Sequence, residues 1–189
     1  ADLLSDMLRH ARDLRVPYVV CWASRGDEVS ESALYERIAA LLPRSEELGV
    51  GILLKTSGIF ADTGRLRRFL EDYASDWLGA LWDMHHPYRD FGESADTTIK
   101  NLGTYVRHVH LRDSDDDGSY NLIGEGTLPV TDLIRALSSI NYDGFISLEW
   151  KPEWMEDLTD REIIFPHFVN YMSRFRSTRK RKKSLYYNH

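Results

Sequence analysis

Five short apolar runs, starting near residues 18, 50, 78, 106 and 144, alternate with amphipathic stretches, so one unit recurs every 28 to 38 residues. That is the spacing of a βα unit, and it implies parallel strands joined by right-handed crossovers. Two architectures satisfy it. One is an open, doubly wound sheet of five strands; the other is part of a (β/α)8 barrel, which takes about 250 residues when whole. A chain of 189 residues favours the open sheet by length alone.

The pattern predicts a helix over residues 2–14, stopped by Pro17, and a strand over 18–22. A helix follows from Ser30 or Ser32 to Leu48, stopped by Gly49, then a strand over 50–55 and a helix from Asp62 or Thr63 to residue 74. Next come a strand over 78–83, a loop through Pro87 and Gly92, a helix over 96–102 and a strand over 106–111. A polar loop over 113–126, a helix over 131–140, a strand over 144–150 and a helix over 160–175 complete the series.

Polar residues collect where the strands end: Lys55, Asp83, His85, His86, His110, Arg112, Asp113, Glu149 and Lys151. In a parallel α/β protein those ends form one rim. Ile52, Leu54, Ala80, Trp82, Val109, Leu111, Ile146, Leu148 and Trp150 share one alternation, suited to packing under helices. Lys55, Asp83, His85, His110 and Glu149 fall on the other, which a barrel would turn inward. Asp83, His110 and Glu149 bring one imidazole and two carboxylates from three strands, a set that suits Mn²⁺, Mg²⁺, Co²⁺ or Zn²⁺. The blander reading of the same three is a local cap or a surface charge.

Composition narrows the classes. Hydrophobic residues at 42% and charged residues at 29% are ordinary for a globular protein. No apolar run approaches the roughly 18 residues of a spanning helix, so no membrane partner is expected. A single cysteine, Cys21, excludes an internal disulfide and a Cys-rich zinc module. With no secretory pattern at the start, the expected location is cytoplasmic. The net charge of −6 hides a basic run between Arg174 and Lys183 over a markedly acidic body, which argues against nucleic acid as the ligand. The chain therefore divides into a body, residues 1–173, and a basic tail, 174–189. The tail reads as a solvated terminus, with an anion-binding or targeting patch as the alternative.

Four segments occur in order: Trp82-Asp83-Met84-His85-His86-Pro87-Tyr88, Val106-Arg107-His108-Val109-His110-Leu111-Arg112-Asp113, Gly124-Glu125-Gly126 and Tyr142-Asp143-Gly144-Phe145-Ile146-Ser147-Leu148-Glu149-Trp150. The ordered set resembles the sugar-phosphate isomerase/epimerase family of xylose-isomerase-like TIM barrels, related to tagatose and psicose epimerases and endonuclease IV. The likeness runs over roughly residues 15–172, and Pro166-His167-Phe168 resembles the tail of some members. It implies a (β/α) barrel portion and a small sugar or sugar phosphate as substrate. It also implies a divalent metal (Mn²⁺, Co²⁺, Mg²⁺ or Zn²⁺) that assists proton transfer next to a carbonyl. By that resemblance Asp83, His110 and Glu149 are metal ligands, Glu149 doubles as catalytic acid/base, and His86, Arg112 and Glu125 meet the substrate. Arg112 stands where many relatives have Lys, and the two cations are not equivalent.

Two departures follow. The stretch Leu53-Leu54-Lys55-Thr56-Ser57-Gly58-Ile59-Phe60-Ala61-Asp62-Thr63 aligns with one that has Glu where Lys55 stands, and that Glu is the fourth ligand and the partner base. Three expectations result: a metal-free sugar-binding or regulatory site with Lys55 paired to Asp83 and Glu149, a surviving metal site, or a catalytic Lys55 that forms a Schiff base with a carbonyl. The second departure is strand number. Five strands match the last five of eight, so the first three β/α units are expected to be missing, which leaves two open edges. A fragment, a homo-oligomer or a second chain completing the barrel would each answer this; the start at Ala1, without Met, fits the first.

The remaining candidates have plain readings. His10, His108, His167 and His189 read as surface or partly buried histidines and Cys21 as a packed strand residue. Asp115-Asp116-Asp117-Gly118 reads as a solvated turn.

Overall fold

The computed structural model describes residues 3–23, 31–150 and 160–175. Of the basic tail only Arg174 and Phe175 are described; the remainder, 176–189, lies outside the described residues, as do Ser30 and Lys151.

The chain runs α1 (Leu3–Asp13), β1 (Tyr18–Cys21), α2 (Glu31–Leu48), β2 (Gly51–Lys55), a 3-10 turn (Gly58–Ala61), α3 (Thr63–Tyr73) and β3 (Leu78–Asp83). It continues with α4 (His85–Phe91), α5 (Ala95–Leu102), β4 (Val106–Leu111), β5 (Asp113–Ser114) and β6 (Tyr120–Asn121). Finally come α6 (Val130–Ser139), β7 (Ile146–Leu148) and α7 (Arg161–Ser173). The main sheet is parallel throughout, in the order β1-β2-β3-β4-β7. A doubly wound sheet reverses its strand order at a switch point. Here the order never reverses, so the open-sheet alternative is set aside and the strands form part of a barrel. Among the described residues β1 and β7 are the outer strands, each paired on one side.

The alternation of side chains builds two layers. Ile52, Leu54, Ala80, Trp82, Val109 and Leu111 pack into one core with Leu66, Phe69, Leu102, Leu133 and Leu137 from the helices. Leu53 and Leu81, on the opposite alternation, are equally buried and floor the face that carries Lys55 and Asp83. Helix starts are set locally: the Asp62 carboxylate accepts Arg65 N–H at 3.0 Å, and Ser94 Oγ accepts Thr97 N–H at 3.2 Å.

Three sequence expectations need correction. The stretch through Pro87 is helix, not loop. Pro87 is the third residue of α4, within the first turn, where a missing N–H costs nothing, and Gly92 ends the helix in the left-handed region at φ 61°. The polar loop contains the β5–β6 hairpin, closed by a turn with Gly118 at φ 91°. The last strand is shorter than expected, Ile146–Leu148 instead of 144–150. Among the described residues no helix is long and apolar enough to cross a membrane.

Candidate functional site

Four of the strand-end residues meet at one point of the rim. Lys55, the last residue of β2, places Nζ 2.8 Å from Glu149 Oε1, 3.0 Å from Glu149 Oε2 and 2.9 Å from Asp83 Oδ2. Asp83 ends β3 and is wholly buried. Glu149 directly follows β7, its N–H donating to Leu111 O at 2.9 Å. Arg112, just past β4 and also buried, donates from Nη1 to Glu149 Oε2 at 2.7 Å and holds Nη2 3.3 Å from Asp83 Oδ2. Two cations and two carboxylates thus alternate in a closed cluster. Thr56 fixes the strand ends beneath it: its hydroxyl accepts Asp83 N–H at 2.9 Å and lies 3.1 Å from Asp83 O.

Burial alone would raise the Glu149 carboxyl. The neighbouring His110, the hydrogen bonds from Lys55 and the charges of Arg112 and Lys55 outweigh it and hold Glu149 well below the usual carboxylate range. His110, inward-facing on β4, keeps Nδ1 3.7 Å from Glu149 Oε2, and that nitrogen, though buried, makes no hydrogen bond. His86, in α4, brings Nε2 to 2.7 Å from Arg112 Nη2 and Nδ1 to 2.9 Å from Asp90 Oδ2.

The other candidates are placed differently. His85 does not join the rim: it turns to the hairpin, where Nε2 lies 2.9 Å from Ser114 Oγ and the ring stacks on Tyr120. Burial, with the Arg112 charge next, pushes its pKa down to about 3. Glu125 is exposed on a loop organised from below by Asp113, whose carboxylate accepts the N–H groups of Gly124 at 2.8 Å, Gly126 at 3.2 Å and Leu128 at 3.2 Å. Cys21 packs against the core, and burial pushes its thiol up to about 11, as fits an inert strand residue. Asp90 is the site residue that sequence reading missed. Its signal was the four-residue spacing from His86, legible only once residues 85–91 are known to be helix.

A cavity of about 20 Å³, room for one water, lies beside Glu149 among Arg112, Tyr120, Trp150 and His167.

Asp83, His110 and Glu149 are donors of the right chemistry for a divalent metal. The seat between them is the difficulty, because Lys55 Nζ stands at hydrogen-bonding distance from both carboxylates. A divalent cation there would face an ammonium in a largely buried setting. Among the described residues no group of three or more His, Cys, Asp or Glu side chains is arranged to hold a metal ion. The residues present do not fit the metal.

The comparisons with known proteins agree with this fold. The family described as xylose isomerase-like TIM barrel matches residues 1–165. Fructoselysine 3-epimerase of Escherichia coli O157:H7 is 25% identical over 167 residues, which cover 82% of this chain and 60% of that protein. An uncharacterized protein of Methanocaldococcus jannaschii is 27% identical over 138 residues, 69% of this chain and 46% of that one. The chain thus spans about half the length of these relatives. Among solved structures, D-allulose 3-epimerase from a Methylomonas species superposes with a TM-score of 0.73 at 15% identity, covering 90% of this chain and 68% of that one. At that identity the likeness shows the fold.

Proposed function

The chain belongs to the xylose isomerase-like TIM-barrel family, and from that premise we propose that its rim takes a small sugar or sugar phosphate and isomerises or epimerises it by moving the proton on the carbon next to a carbonyl. The observation that carries this reading is the contact of Glu149 with both Lys55 and Arg112, an ionised carboxylate flanked by two cations at the C-terminal strand ends. Removing a proton beside a carbonyl builds negative charge on the carbonyl oxygen, and fixed positive groups lower that barrier. Glu149 is the base. Lys55 and Arg112 supply the positive field on either side of Glu149. His86 meets hydroxyl groups, and Glu125 borders the ligand from its loop. No step runs through a divalent metal.

The test is incubation of the full chain in D2O with a panel of ketoses, aldoses and their phosphates, followed by proton NMR. Deuterium entering the position next to the carbonyl, and lost in Glu149→Gln, is the expected result. No exchange with any member, together with a ligand-dependent rise in Tm, replaces this reading by a second one: sugar binding without turnover. One observation favours that second reading, namely that Asp83 is wholly buried and both carboxylates are already engaged by cations. The Schiff-base reading has less support, because an ammonium held between two carboxylates has no lone pair to offer a carbonyl.

A further inference from the structure

We infer that the Lys55 ammonium occupies the seat a divalent cation would take between Asp83 and Glu149, beside His110, so that the rim is assembled and neutral without metal and the residue at position 55 decides which cation sits there. Asp83 Oδ2 and Glu149 Oε1, from different strands, both lie within 2.9 Å of the single atom Nζ. That is hydrogen-bond length, longer than the roughly 2.0–2.2 Å at which zinc-type cations bind carboxylates. His110 Nδ1, 3.7 Å from Glu149 Oε2, adds a buried nitrogen with no hydrogen bond of its own. Two carboxylates therefore converge on a position held by a positive charge, with the His110 imidazole beside one of them.

Charge explains why the arrangement holds. Lys55 and Arg112 against Asp83 and Glu149 sum to zero, in a cluster where Asp83 is wholly buried and the Lys55 side chain is only 12% exposed. Buried carboxylates require such compensation. Replacing Lys55 by a neutral residue leaves one uncompensated negative charge. Replacing it by an acid leaves two, which matches a divalent cation and adds an oxygen donor at the same place. Nothing in this depends on whether the rim turns over a sugar, so the inference survives or falls apart from the proposed reaction.

The experiment titrates Mn²⁺, with no sugar present, into the full-length parent, Lys55→Gln and Lys55→Glu, each checked for folding by circular dichroism. Free Mn²⁺ is counted by electron paramagnetic resonance, and Tm is followed with and without the metal. The parent is expected to bind no stoichiometric Mn²⁺ and to show no Mn²⁺-dependent Tm. Lys55→Gln should bind about tenfold or more tighter than the parent, and Lys55→Glu on the order of a thousandfold tighter, with a rise in Tm on loading. Tight one-to-one Mn²⁺ in the parent overturns the inference. So do folded variants that bind no better than the parent. Should Lys55→Glu fold only in the presence of Mn²⁺, that too is the expected behaviour; if it folds under neither condition, the folded Lys55→Gln protein decides by its affinity.

Discussion

Arg112 Nη2 lies 2.7 Å from Nε2 of His86, and because a guanidinium can only donate, this contact fixes the state of the imidazole. Nε2 carries the lone pair, Nδ1 carries the proton, and that proton is given to Asp90 Oδ2 at 2.9 Å. The ring thus turns its acceptor nitrogen toward the rim. Nitrogen-15 NMR of the parent should show His86 as the Nδ1–H form. In Asp90→Ala the partner of Nδ1 is gone, and the signals should move toward a mixture of tautomers while Tm changes little, since pairs this exposed contribute about 1 kcal/mol or less.

His85 gives the fold a sensitivity to mild acid. Its ordinary value of 6.5 is pushed down to about 3 in the folded protein by burial and by the Arg112 charge. The unfolded chain therefore takes up this proton below 6.5 while the folded chain resists it until about 3. The stability contribution is complete above pH 6.5 and is lost as pH falls toward 3, at up to about 1.4 kcal/mol per pH unit. Urea unfolding of the parent against His85→Gln across pH 7 to 4 checks this; the parent should lose stability faster, and equal slopes contradict the prediction.

Glu149 acts lower on the pH scale. Its folded value is held below the ordinary 4.5, so the stabilisation it brings is present above 4.5 and is lost as pH falls through the folded value. The stability difference between the parent and Glu149→Gln should accordingly stay constant from pH 7 to 5 and shrink below about 4.5. A difference that persists unchanged at pH 3 would mean that Glu149 contributes through packing and not through its charge.

Alternation carried most of this architecture into view. β3 and β4 fall where the apolar runs predict, and the parity argument correctly separated Ile52, Leu54, Ala80, Trp82, Val109 and Leu111 from Lys55, Asp83, His110 and Glu149. It failed for His85, since parity along a strand says nothing once the chain turns into helix one residue earlier. Pro87 and Gly92 were read as loop makers, although one sits in the tolerant first turn and the other just past the helix end. That single misreading concealed the pairing of His86 with Asp90. The pairing of Lys55 with Asp83 and Glu149 was legible as an expectation, but the role of Arg112 in closing the cluster depends on β4 and β7 lying side by side, a long-range fact that no local pattern encodes.

Asp113 offers the sharpest contrast between a polar residue that holds the fold and one that faces a ligand. Its carboxylate is buried and accepts four backbone N–H groups, from Ser114, Gly124, Gly126 and Leu128, so it acts as a scaffold for the Gly124-Glu125-Gly126 loop. A Cβ on Gly126 would come within 2.5 Å of Asp113 Oδ1 and 2.7 Å of Ser114 O, which explains why glycine is needed there. Asp113→Ala strands those donors and should cost about 2–4 kcal/mol in urea unfolding. Asp113→Asn keeps one acceptor oxygen but aims its NH2 at two of the N–H donors, and should cost about as much. Gly126→Ala should behave like the alanine variant, because the Asp113 carboxylate must then be displaced. If all three variants unfold with the parent, the loop is held from elsewhere and Asp113 is not its anchor.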